Sequence, residues 1–170
     1  MVKIEKEGYI DFFVELEKFK KEYVILQKKY SLPKFEELAE DFDIEKAVYR
    51  ETSFVLRDIR RLIAERFGGY LSLFETLVNP SAPSVFIFSI LKNLSSEETK
   101  DIKETYDTLA KIQIRMAKID VIYSEKKEAE FIKNSYKEWE ELKPKIFKLF
   151  EKIEEKMNNS EEKEKRGYLG

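Results

Sequence analysis

Residues 9–30, YIDFFVELEKFKKEYVILQKKY, decide the fold. Tyr9, Phe12, Leu16, Phe19, Tyr23, Leu26 and Tyr30 follow one another at alternating steps of three and four, and only a helix brings side chains so spaced onto one stripe. Such a stripe needs partners of the same kind, and the rest of the chain supplies three. Ser31 and Pro33 stop this helix and open a short one near 33–41, because proline lacks an amide donor yet suits a first helical turn. Its candidate buried contacts are Phe35, Leu38 and Ala39.

Asp43 is placed to cap a second long helix, 43–67, whose apolar side carries Ile44, Val48, Val55, Ile59 and Leu62, widened by Leu56, Ile63 and Phe67. Gly68 and Gly69 follow, each less favourable in a helix than alanine by about 1 kcal/mol. They predict a kink or a short break before helical character resumes over 70–78. Asn79, Pro80, Ser81, Ala82, Pro83 and Ser84 then form the conspicuous turn cluster of the chain.

The next stretch, near 84–94, is apolar on all sides through Val85, Phe86, Ile87, Phe88, Ile90, Leu91 and Leu94. VFIFSI also reads as a buried strand, but no partner strand occurs elsewhere and a lone strand leaves its backbone groups unpaired, so a short helix is expected. Ser95 or Ser96 with Glu98 or Glu97 resembles a capping pattern for a third long helix, 97–123, striped by Ile102, Tyr106, Leu109, Ile112, Met116, Ile119 and Tyr123. The fourth, 125–157, lines up Ala129, Ile132, Tyr136, Trp139, Leu142, Ile146, Phe150, Ile153 and Met157. Its phase survives Pro144, which predicts one kinked helix rather than two. Four striped helices joined by short connections predict an all-α antiparallel four-helix bundle, a single domain over 1–158, with the two short helices across its ends or flanks. Residues 159–170, NSEEKEKRGYLG, carry no stripe and are expected to be a flexible tail, with Tyr168 uninvolved.

Composition narrows the chemistry. The 170 residues contain neither cysteine nor histidine, which excludes disulfides, thiol nucleophiles, histidine-based triads and zinc or di-iron sites that need those ligands. No catalytic motif appears: there is no Walker loop, no dinucleotide glycine fingerprint and no Gly-x-Ser-x-Gly elbow. A non-catalytic role without cofactor or metal is therefore the expectation. Lys and Arg total 32 against 34 Asp and Glu, a net charge of -2, which disfavours a generally basic nucleic-acid binder. Glu exceeds Asp, Lys exceeds Arg and the only glutamines are Gln27 and Gln113, a bias seen in heat-adapted proteins. The N-terminus lacks the apolar segment of a signal peptide, and no apolar run reaches the roughly 18–20 residues that span a bilayer; a cytoplasmic protein without membrane contact is expected.

Three stretches are candidates for function. Five of the seven arginines fall between 50 and 66, and Arg50, Arg57, Arg60 and Arg61 form a candidate strip for phosphate, nucleotide or nucleic acid, since the guanidinium fork grips oxyanions with two parallel hydrogen bonds. The alternative use of the same arginines, with Arg66, is an ion-pair network with Asp58, Glu65 and acids of neighbouring helices. Glu37, Glu40 and Asp41 have spacing that could hold Mg²⁺ with a nucleotide phosphate, but the companion Glu-x-x-Asp on the next helix is missing, and capping accounts for Asp41 and Asp43. The third is the apolar region 67–94. Each Phe or Ile left wet there forgoes about 1.5–3 kcal/mol of burial, so either the segment plugs one end of its own bundle or, the favoured expectation, Phe67, Tyr70, Leu73, Phe74, Phe86, Phe88 and Leu91 are interface residues of a homodimer. The leading expectation is a helical interaction or scaffold protein that self-associates through this region. A nucleic-acid or nucleotide-binding regulator using the arginine strip is the alternative.

Overall fold

Every regular element among the described residues is helical: α1 (Val2–Tyr30), α2 (Phe35–Phe42), a 3₁₀ helix (Ile44–Tyr49), α3 (Val55–Val78), α4 (Val85–Asn93), α5 (Ser96–Val121) and α6 (Glu125–Gly167). The structure, a computed structural model, describes the backbone of residues 2–50, 54–81 and 84–167 and the side chains of residues 12–50, 54–81, 84–85 and 87–158. The side chains of Tyr9 and Phe86, and all of Ala82, Pro83 and Tyr168, lie outside the described residues.

The helix boundaries correct the sequence reading at both outer ends, where α1 already begins at Val2 and α6 runs past the expected end at 157 to Gly167 through a Glu- and Lys-rich stretch that favours helix without a stripe, and at two places inside the chain. Asp43 caps no long helix: it adopts the left-handed conformation (φ 52°), and its N–H donates to the Ala39 carbonyl at 3.1 Å, closing α2. Its carboxylate turns to Lys46 at 3.0 Å and to Arg66 at 3.6 Å instead of to backbone amides, and the chain continues as a 3₁₀ helix before α3 begins at Val55. The second correction concerns Gly68 and Gly69, where no break occurs: both lie inside an α3 that runs on to Val78. The reason is the phase of the buried side chains. Leu56, Ile63, Phe67, Phe74 and Leu77 are buried with Tyr70 half-buried, a spacing that runs across both glycines without a shift.

Other local expectations hold. Ser31 ends α1 in the left-handed region (φ 53°), where Leu32 N–H reaches back to the Gln27 carbonyl at 3.1 Å. The 84–94 stretch is a helix, and Ser84 accepts a hydrogen bond from the Ile87 amide at 3.3 Å. Ser95 and Glu98 exchange bonds at the start of α5: the Ser95 amide donates to Glu98 at 2.7 Å, and the Glu98 amide donates to the Ser95 hydroxyl at 3.2 Å. Pro144 sits inside a single α6.

The chain divides into two compact units. The first comprises Met1–Phe67 and Gln113–Lys137. Its core gathers Leu16 and Tyr23 of α1, Phe35, Leu38 and Phe42 of α2, Leu56, Ile59 and Ile63 of α3, and Ala129 and Ile132 of α6. The Tyr23 hydroxyl donates to the Pro33 carbonyl at 2.7 Å, which satisfies a phenol that burial, aided by Glu37 and Glu36, holds far above its usual ionisation range. The second unit comprises Gly68–Ile112 and Glu138–Gly170. In it Tyr70 packs on Trp139 with ring centroids 5.6 Å apart, Phe74 stacks on Phe150 at 6.1 Å, and Ile102, Leu109 and Ile112 of α5 are buried.

Candidate functional site

The arginines of 50–66 were candidates because a helix periodicity of 3.6 sets several of them on neighbouring faces of α3. In the first unit most are engaged by acids and rings. Arg60 is fully buried; its Nη2 donates to Asp120 of α5 at 2.5 Å and its Nε donates to Glu128 of α6, itself fully buried. Burial holds the Glu128 carboxyl above the ordinary glutamate range, against the pull of Arg60 and Arg57. Arg57 lies over the Tyr123 ring at 4.4 Å and the Phe54 ring at 5.2 Å, with its Nε 3.8 Å from Glu128. Those two rings pack on each other with centroids 4.6 Å apart. Arg50 pairs with Glu65 at 2.5 Å, and Arg66 donates to the Asp41 carbonyl at 3.1 Å and pairs with Asp43. Arg61 is half-exposed, and no ion pair or ring contact reaches it among the described residues. Asp58 is buried.

Asp120, Glu128, Phe54 and Tyr123 therefore belong to this cluster, and none was singled out as a partner from sequence. One signal was there to find. Glu128 falls in heptad phase with the buried Ile132, Ser135, Trp139, Leu142, Ile146 and Leu149, and Arg60 falls in phase with Leu56, Ile63 and Phe67. Two opposite charges on two apolar seams point to each other.

The carboxylates proposed for Mg²⁺ are used locally or stand apart. Glu37 accepts from the Lys34 amide at 2.7 Å at the start of α2, Glu40 is exposed, and Asp41 is buried in the last turn of α2, not at a helix start. No group of three carboxylates among the described residues is arranged to hold a metal ion.

The apolar 67–94 candidates separate by burial. Phe67 in the first unit and Phe74 in the second are buried inside the chain, where Phe67 meets Phe42 at 5.9 Å. Tyr70 and Leu91 are half-buried. Those open to solvent are Leu73 at 37% and Phe88 at 58%, joined by Val85 at 88%. Val85 and Phe88 stand one turn apart on the same side of α4, while Ile87 and Ile90 on its other side are buried. α4 is thus apolar on a covered face and again on an open one. No helix of the described residues is long and apolar enough to cross a membrane.

At the start of α5, Glu98 is buried. Burial pulls its carboxyl upward, but Lys156 and the Ser95 amide and hydroxyl outweigh that and hold it down at about 2. Lys156 also donates to the Asn93 carbonyl at 2.8 Å, which ties α6 to the end of α4 within the second unit.

The chain matches no family model, no curated protein sequence and no solved structure.

Proposed function

We propose that this protein is a helical interaction protein that assembles with a second copy of itself through the open face of α4. The observation that carries the reading is the exposure of Val85 and Phe88 side by side on a nine-residue helix with one charged side chain, Lys92. Covering a Val or Phe side chain stabilises by about 1.5–3 kcal/mol, and in a two-fold assembly each is covered twice. Leu73 on α3 and the half-buried Leu91 extend the apolar character of the second unit. The engagement of Arg50, Arg57, Arg60 and Arg66 by acids and rings of the same chain favours this reading over the alternative of an arginine strip for nucleic acid.

The architecture behind this surface is, in the same proposal, an antiparallel bundle of α1, α3, α5 and α6. Its support is the four-and-three phase of buried and half-buried residues in all four helices. In the first unit, contacts of Lys29 and Tyr30 at the end of α1 with Glu125 at the start of α6 also support it.

A chain without cysteine makes the assembly directly testable. Val85→Cys and Phe88→Cys, treated with a short bismaleimide, are expected to give covalent dimers in high yield, while Lys111→Cys on α5 does not, because a two-fold interface brings a central residue near its own copy. Equal yields from all three positions would overturn the reading.

A further inference from the structure

The lysines on one face of α6 in the second unit divide into one that is matched and three that are not. Lys156 is bound to Glu98 and to the Asn93 carbonyl. Lys145, Lys148 and Lys152 continue that face at steps of three and four, and none has a carboxylate oxygen within ion-pair distance among the described residues. Asp101 and Glu104 of α5 stand in the opposite wall of a groove that the three lysines also line, with a volume of about 300 Å³. Glu104 pairs instead with Lys100 of its own helix at 3.8 Å, leaving both walls charged and separated. The buried Leu149 forms part of the lining between them.

This arrangement is selective. Three ammonium groups along about 10 Å of helix offer a row of donors to a multiply charged oxyanion. A ligand that is anionic throughout meets repulsion from Asp101 and Glu104, and a simple cation meets it from the lysines. Both walls are satisfied by a molecule with a phosphate at one side and hydroxyl donors at the other, and carboxylates are strong acceptors for hydroxyls. A groove of this size lies at the small end of ligand pockets, about 300–1,000 Å³, which suits a small molecule rather than a polymer. We propose that the groove between α5 and α6 binds a phosphorylated polyol, with the phosphate on Lys145, Lys148 and Lys152 and the hydroxyls on Asp101 and Glu104.

Titration calorimetry with ribose 5-phosphate, ribose and inorganic phosphate tests this on the intact chain. Ribose 5-phosphate is expected to bind saturably and more tightly than either fragment. Lys148→Gln with Lys152→Gln is expected to weaken it by about tenfold or more, and Asp101→Asn with Glu104→Gln to remove its advantage over inorganic phosphate, which itself binds no more weakly once the two negative charges are gone. Retained helical circular dichroism and an unchanged melting transition separate loss of the site from loss of the fold. Absence of saturable binding, binding undiminished by the lysine substitutions, or phosphate alone binding as tightly as ribose 5-phosphate would each overturn the proposal. The substituted positions are distinct from Val85 and Phe88, so binding is read whatever oligomer the protein forms.

Discussion

Arg60 occupies a position that an apolar residue would ordinarily fill. It continues the spacing of Leu56, Ile63 and Phe67, and its charge is tolerated there because Glu128 and Asp120 meet it. Removing one partner of such a buried pair strands the other: Arg60→Ala should cost about 3–5 kcal/mol of unfolding free energy, since Glu128 is left enclosed with the more distant Arg57, 3.8 Å away, in place of its hydrogen-bonded partner. Replacing both by apolar side chains, Arg60→Met with Glu128→Leu, should cost far less or even stabilise. Urea denaturation of the two variants checks this. A loss below about 1 kcal/mol in Arg60→Ala would mean that the pair does not carry the core contact described here. The pair is hard to read from sequence because a stripe of hydrophobic residues passes over Arg60, which stands among other arginines although its phase places it with Leu56 and Ile63. Thr105 and Glu98 illustrate the same effect on α5, where both are buried in phase with Ile102, Leu109 and Ile112.

Helices themselves were legible wherever the stripe was long. The α1 stripe, the α4 helix and the Ser95–Glu98 cap stand where periodicity and capping chemistry put them. Boundaries were legible only where one local interaction dominates. At Asp43 two outcomes compete, an amide cap or an ion pair with Lys46 and Arg66, and Arg66 lies 23 residues on in sequence, so the choice rests on tertiary structure. At Gly68 and Gly69 the local cost of glycine, about 1 kcal/mol each, is outweighed by the burial of Phe67, Phe74 and Leu77, each of which contributes more. The glycines are therefore a local weakness within a continuous α3. A Cβ built on either meets nothing within 4 Å, and neither has a positive φ. Gly68→Ala and Gly69→Ala are expected to stabilise by about 0.5–1 kcal/mol each, measured as a rise in the melting transition. A fall would show that α3 needs a flexible point there.

For the whole molecule, what sequence cannot supply is which charges meet which and which apolar side chains stay open. Of the seven interface candidates in 67–94, Phe67 and Phe74 turn inward, and Phe88 turns outward together with Val85, a residue not among those seven. Periodicity could not divide them, because a segment apolar on all sides has no phase from which to tell the covered face from the open one. The lysine row of α6 is likewise invisible in sequence: Lys145, Lys148, Lys152 and Lys156 look alike there, and among the described residues only Lys156 of the four meets a carboxylate. Assembly through the open face of α4 is decided by light scattering on the eluting protein over a range of concentrations, beside a Val85→Glu, Phe88→Glu variant. The mass is expected to rise from 20.3 kDa toward twice that value for the natural chain and to stay at 20.3 kDa for the variant. A natural chain that remains at 20.3 kDa at high concentration, or a variant that assembles equally well, would contradict it.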